Sequence, residues 1–378
     1  TPNVSAIWQG RKLRTISGSP AAFGSEAYSN NPAYVIADIL TNARYGAGAF
    51  VADADLDLDS FVTARDYCNR SVQNGRGGTE NFAECDIYFD GETNHWAAAI
   101  DVARNARLLL VWSAGKIKLI PDRDGGTVQL FSMGNIERGS YRHSYLAHRN
   151  MPNKIRVEFR NRDLNWQVDM AQIEDPVVLT NTEEVVEESV VADSVTRMSE
   201  ALRIAKRRYL ESRNIREMIE FGAAADALAL EVGDVFTFVH EAQRSELYSG
   251  RCGDGSTASS IVLDKDVSVP SGQTVRLLVR FNSGAGVGTV ETNPIGTPGG
   301  STPTRVIDLQ VPQAYSQAPA LGDIYALVQD VVGDANPRDW KVISVTATGE
   351  HRRKIKAVNY VAAVYTDSDD PGDLPVID

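Results

Sequence analysis

The sequence predicts an α+β fold rich in β-structure: several small β-barrel or sandwich domains with helices between them. Three observations carry this. From Ile215 onward, short β-branched and aromatic runs are separated by clusters of Gly, Pro, Asn and Asp, the punctuation of small all-β domains. Ile155, Val157 and Phe159 alternate with Arg156, Glu158 and Arg160, the period of a half-exposed strand. Residues 30–48 and 194–212 instead space their apolar residues by three and four, the period of a helix face. At 378 residues the chain exceeds the roughly 250–300 at which one core stops growing, so more than one domain is expected.

In order, residues 4–16 alternate loosely and read as a strand, and Gly18 to Ser29 as a small-residue loop. A helix follows. Asn31 is its N-cap and Pro32 its first residue, where a missing N–H costs nothing. Val35, Ile36, Ile39 and Leu40 form its apolar face, and Asn42 and Gly46 close it, both tolerating the left-handed conformation. Asp53 to Asp59 caps a second helix over about Phe61–Val72, broken by Asn74-Gly75-Arg76-Gly77-Gly78. Phe82–Phe89 reads as a strand. Asn94 caps a third helix faced by Trp96, Ala99, Ile100, Ala103 and Ala106, and Leu108–Trp112 and Lys116–Ile120 form a hairpin.

The run from Ile155 turns at Asn161-Arg162-Asp163 into a second arm, Trp166–Ile173, and Glu174–Glu188 reads as an acidic connecting arm. Ser194–Ser212 is the longest helix. Val195, Met198, Leu202, Ala205 and Tyr209 make a narrow seam for one partner, by default a sheet of the same chain, while Arg203, Lys206 and Arg207 line other faces. Strands are expected at Met218–Phe221, Val235–His240, Ile261–Leu263, Val275–Phe281, Val306–Leu309, Ile324–Val328, Val342–Val345 and Ile355–Tyr360. Residues 296–304 form a flexible loop and Asp367–Asp378 an exposed acidic tail.

Lys plus Arg is 38 against Asp plus Glu at 50, a net charge of −12. Such a surface repels phosphate backbones and lacks the basic stripe that holds a protein to an anionic membrane, so neither nucleic acid nor a membrane surface is an expected partner. No apolar run is long enough for a helical span, and no secretory leader is visible. Cys68, Cys85 and Cys252 are odd in number and widely spaced, which reads as buried thiols. Residue 1 is Thr, so the chain reads as a piece of a longer polypeptide.

Residue patterns with chemistry are sparse. None of the five histidines has metal-ligand spacing, His143 and His148 coming nearest. Asp53, Asp55, Asp57 and Asp59 lack the Gly and closing Glu of a calcium loop and read as helix caps on a solvated face. Gly284-Ala285-Gly286-Val287-Gly288 lacks the Lys of a phosphate loop and reads as a hairpin turn, as does Asp254-Gly255-Ser256. No nucleophile–base phrase stands out, so no catalytic, cofactor-binding or metal residue is assigned and no cofactor is expected.

The stretch NNPAYVIADILTNARYGAG resembles a signature of phage tail-tip attachment proteins, the host-specificity or central-fibre hub family, through Asn31, Pro32, Ala33, Asp38, Leu40, Thr41, Asn42, Arg44, Tyr45 and Gly46. Further stretches resemble the family in the same order: VQLFSMGNIERGSYRHSY from Val128, NKIRVEFRNRDLNWQVD from Asn153, ALRIAKRRYLESRN from Ala201, the turn Gly233-Asp234-Val235, Gly250-Arg251 with IVLDKDV and VRLLVRF, Gly322-Asp323-Ile324-Tyr325, and WKVISV with KIKAVNYVAAVY. The Gly/Pro loop at 284–303 and the start of the chain depart from it.

The resemblance implies a tail-hub-like division: a mixed α/β domain at 1–150, a hairpin, helix and strands of a hub barrel at 151–240, an inserted small barrel at 241–330, and closing strands with an exposed linker at 331–378. It implies a non-enzymatic virion protein made in the host cytoplasm. That protein would be a homotrimer closing and symmetry-adapting the tail tube, touching distal tail and tape-measure-type proteins above and carrying a receptor-contacting fibre below. The alternative is a β-rich module that binds or hydrolyses cell-wall glycan.

Overall fold

The structure is a computed structural model. It describes residues 10–89, 93–146, 151–174, 185–240, 246–269, 274–296, 303–329, 338–349 and 351–372. The chain forms two compact units, each discontinuous in sequence. The first comprises Thr1–Asp124, Ala147–Asn214 and Ala362–Asp378, and the second Gly125–Leu146 and Ile215–Val361. The fold is α+β and β-rich, with several small sheets, as the sequence predicts.

In the first unit, helices α1 (Pro32–Thr41), α2 (Leu58–Cys68) and α3 (His95–Asn105) surround one core. Asn31 caps α1 by accepting a hydrogen bond from Ala33 N–H at 2.9 Å. Asn94 caps α3, accepting from Trp96 and Ala97 N–H. The buried face of α3 is Ala98, Ala99, Val102 and Ala103, whereas Trp96 is exposed.

Four local expectations fail here. The loop at 18–29 is largely a strand: β1 (Lys12–Gly18) pairs with β2 (Ala21–Tyr28). Of the strand expected at 4–16, residues 1–9 lie outside the described residues. Helix α2 starts and ends earlier than expected, because Ser71–Gln73 (β3) leaves it to pair with Thr79–Asn81 (β4) across the glycine-rich turn. Phe82–Phe89 is extended but lies in no sheet, since its N–H groups go to separate partners: Phe82 to Arg70, Ala83 to Cys68, Cys85 to Asn30 and Asp86 to Ser194 carbonyls. Helix α1 closes without a left-handed residue: Asn42 is extended, at φ −74°.

The hairpin β5 (Leu108–Ser113) and β6 (Lys116–Pro121) turns on Ala114 and Gly115, both at positive φ, which matches the twist of the strands. Strands β9 (Lys154–Asn161), β10 (Gln167–Glu174) and β11 (Glu187–Val191) form a three-stranded sheet in the order β10-β9-β11. The seam of α4 (Met198–Asn214) packs on it. Ile155, Val157, Phe159 and Ala171 meet Met198, Ala201, Leu202, Ala205 and Tyr209 in one apolar cluster. The partner of the seam is thus a sheet of the same chain. Of the acidic connecting arm, residues 175–184 lie outside the described residues.

The second unit holds a six-stranded sheet and a smaller pair of sheets. The large sheet runs β7 (Thr127–Phe131), β13 (Val235–Phe238), β20 (Arg338–Gly349), β21 (Arg352–Asn359), β12 (Glu217–Ala223), β8 (Arg142–Tyr145). Its inner face is aromatic. The Phe221 ring lies 5.0, 5.7 and 4.9 Å from those of Phe131, Phe236 and Phe238. Between β13 and β20 the chain makes β14 (Glu246–Arg251), β15 (Ser260–Val267), β16 (Val275–Arg280), β17 (Val290–Pro294), β18 (Thr304–Asp308) and β19 (Ile324–Gln329). Bridges Cys252↔Leu263 and Ile295↔Leu309 join the sheets β14-β19-β16-β17 and β15-β18 around their own core. Every strand expected after Ile215 is present; β7, β8, β14 and β17 are additional.

Candidate functional site

Two constellations in the first unit concentrate its polar chemistry. One is the signature turn. Its last residues fold back over the end of α1: Ala47 N–H donates to the Ile39 carbonyl at 2.9 Å and Gly46 N–H to Asn42 at 3.0 Å. A Cβ on Gly46 would stand 2.3 Å from the Ile39 carbonyl oxygen, so glycine is required by close approach. The Tyr45 hydroxyl hydrogen-bonds Asp38, and Asn42 donates to Asp38 as well. At the other end, the Asn31 amide donates to the Arg65 carbonyl of α2 and to Asn69 just after that helix. The motif residues therefore close both ends of one helix and bind it to its neighbour.

The other is a buried arginine network on α4. Glu200, Arg203 and Arg207 recur at helical spacing and share a face. That face, which is not the apolar seam, is buried too: Arg203 is 1% and Arg207 6% exposed. Arg203 Nη1 lies 2.8 Å from Glu80 Oε1, and Arg207 Nη2 lies 2.8 Å from Asp122 Oδ2. Arg197, just before the helix, holds Glu200 Oε2 through Nε and Nη2 at 3.1 and 2.7 Å and reaches Glu80 at 3.1 Å. Arg107 donates to the carbonyls of Arg203 and Ser368, both at 2.9 Å, and pairs with Asp369. The Phe82 ring receives the guanidiniums of Arg70, Arg107 and Arg203 at 3.6, 5.0 and 5.7 Å, an attraction to the negative face of the ring.

Burial lowers Arg107 to about 10, leaving it charged at neutral pH. Burial lifts Glu200 to about 7 although Arg197 and Arg203 pull it down. For Glu80 burial also acts upward, but Ser199, Arg197 and Arg203 outweigh it and the carboxyl is lowered. These groups bind one another, leaving Arg203 Nε and Arg70 Nη1 without a hydrogen-bond partner among the described residues, and hold three stretches of chain in one unit. The expected exposed tail takes part: Ser368 is fully buried and Asp369 bonds Arg70 and Arg107. Residues 373–378 lie outside the described residues. Sequence spacing gives the α4 face but not its partners.

The residues weighed for chemistry are scattered. His143 lies 2.9 Å from Glu217, which Arg338 also binds; His148 lies outside the described residues. Asp53 pairs with Arg14, Asp59 accepts from Ala21 N–H and Asp55 from Ala52 N–H. Asp57 precedes α2 without a side-chain capping bond. Gly284 and Gly288 take positive φ in the turn between β16 and β17, and Gly255 in the turn before β15. The loop at 297–302 lies outside the described residues. The three thiols are buried, and burial pushes Cys252 up to about 12. Among the described residues no three His, Cys, Asp or Glu side chains gather as metal ligands.

Residues 98–249 match the family model described as "Putative phage tail protein". Tip attachment protein J of Escherichia phage SECphi27 is 26% identical over 240 residues, covering 62% of this chain. Its counterpart in Escherichia phage SECphi4 is 22% identical over 318 residues, covering 80%. The chain is kin to the phage tail-tip attachment proteins. It spans 20% and 27% of the lengths of these two relatives. Among solved structures, a chain in the virion of a native gene transfer agent particle aligns with a TM-score of 0.47 at 11% identity, over 90% of this chain and 49% of that one. A tail protein from Neisseria meningitidis MC58 aligns with a TM-score of 0.35 at 10% identity, over 78% and 62%.

Proposed function

We propose that the chain is the hub segment of a tail tip or baseplate. As a homotrimer in the virion, made in the host cytoplasm, it closes the tail tube, adapts its symmetry and carries a receptor-contacting fibre. Distal tail and tape-measure-type proteins are its neighbours above. The observation that supports this reading is the alignment with tip attachment protein J over 80% of the chain. In this reading residues 241–330 are an inserted barrel within the hub.

Its work is mechanical, and the polar groups fit that. Glu200 and Asp339, carboxyls that burial holds above their ordinary value, are bound by internal partners, Arg197 and the Thr237 hydroxyl. Electron microscopy of tail particles with a label fused to this polypeptide tests the proposal. Three labels around the axis at the tail tip are expected; label absent from the particle overturns it.

A further inference from the structure

Over β8, β12, β21 and the later half of β20 the six-stranded sheet has one face in the aromatic core and one in water, whereas the β7 and β13 end is buried on both sides. Register fixes which residues share the outer face. Ser344, Lys356, Glu220 and Arg142 are direct partners across β20, β21, β12 and β8, and Thr346, Lys354 and Gly222 form the next row. Arg352, two residues before Lys354, projects from the same face. Gly222 has no Cβ, and the Glu137 carboxylate lies over it; an added Cβ would stand 2.7 Å from Glu137 Oε2. Lys354 and Lys356 lie 2.6 and 3.5 Å from the two oxygens of Glu220, and Arg352 lies 3.4 Å from Glu137.

The face thus sets Arg142, Arg352, Lys354 and Lys356 against Glu220 and Glu137, an excess of cations. The side chain of Arg352 is 69% exposed and those of Lys354 and Lys356 are 47% exposed. The whole chain carries −12, so the rest of the molecule holds a larger acidic excess than that total.

We infer that this basic sheet face is a contact between copies of the chain, received by the carboxylate-rich surface of a second copy. The inference rests on the hub reading and names the residues that make its ring. Copies of net charge −12 repel unless the contact places positive against negative. An isologous pairing would set the four cations against their own copies, so the contact is heterologous, and heterologous contacts that close form rings. Attraction across such a contact is screened beyond about 8 Å at physiological salt, so assembly weakens as salt rises.

The test is sedimentation and native mass spectrometry of the full polypeptide at low and high salt, with incorporation into tail particles as a second readout. Wild type is expected to self-associate in a salt-sensitive manner. K354E/K356E is expected to weaken association by about tenfold or more. R142Q/R352Q, which keeps both Lys–Glu220 pairs, serves if the reversal fails to fold, and is expected to weaken it less. K12E/K116E makes the same net charge change at exposed positions elsewhere and is expected to associate as wild type. Rings that form equally well in both basic-face variants overturn this contact and leave the hub reading standing. Variants that form rings but no longer enter tails also overturn it, showing that another tail protein covers the face. A wild-type chain that stays monomeric in solution and in tails overturns both.

Discussion

Arg107 and Asp369 stand 262 positions apart in the chain, yet Arg107 Nη1 lies 2.8 Å from Asp369 Oδ1. The guanidinium is 6% exposed and the carboxylate 34%. Asp369 also binds Arg70 at 2.7 Å, so one carboxylate draws the late segment of the chain onto two arginines of the early one. Asp369→Asn keeps the shape and removes the charge. It is expected to destabilise the protein by about 1–3 kcal/mol, as for the loss of a charged partner at a buried donor. Urea denaturation followed by tryptophan fluorescence measures this, and an unchanged midpoint would refute the role given to the tail.

Glu200 makes stability depend on pH. Its folded-state value, about 7, lies above its ordinary 4.5, so the folded protein takes up the proton first. The contribution is therefore fully present below 4.5 and is lost as pH rises through 7, an effect of about 3 kcal/mol in total. Glu80 has the opposite sign and acts only below its ordinary range. Wild type should gain stability between pH 7.5 and pH 5, and Glu200→Gln should gain less. Equal gains in denaturation at the two pH values would show that Glu200 is ionised throughout.

Gly46→Ala forces a Cβ to within 2.3 Å of the Ile39 carbonyl, and backbone atoms must move. A loss of about 1–3 kcal/mol is expected, the usual cost of overpacking. Gly126, where an added Cβ meets nothing within 4 Å, is the control. Scanning calorimetry of Gly46→Ala beside Gly126→Ala decides it, the prediction failing if both melt with wild type.

Phe221→Ala removes a ring that touches three other phenylalanines in the second unit. The expected cost is about 3–5 kcal/mol, from lost transfer energy and the cavity left behind. A loss under about 1 kcal/mol would mean that the sheet collapses to fill the space.

Local chemistry was readable wherever it acts over a few residues. Asn31 and Asn94 cap their helices because a short side-chain oxygen reaches an N–H two residues on. The alternation from Ile155 became a strand because its side chains have one apolar face to bury. The runs after Ile215 became strands because β-branched and aromatic side chains fit a pleated surface, one that is buried on both faces in Val235–Phe238 and Ile324–Val328. The seam of α4 was legible for the same reason. The boundary of α2 and the strand β2 were not, since Ser71–Gln73 and Ala21–Tyr28 take their conformation from pairing partners and not from their own propensity.

The sequence by itself determined the helices α1, α3 and α4, the asparagine caps that start the first two and the apolar seam that α4 buries, because those depend on side chains within one or two turns of each other. Only the tertiary structure decided that Arg203 and Arg207 are buried, that Phe82–Phe89 gives its backbone to several partners, and that Asp369 closes on Arg107. Each of these needs a group tens to hundreds of residues away, and a charge left without that group would have stayed in water.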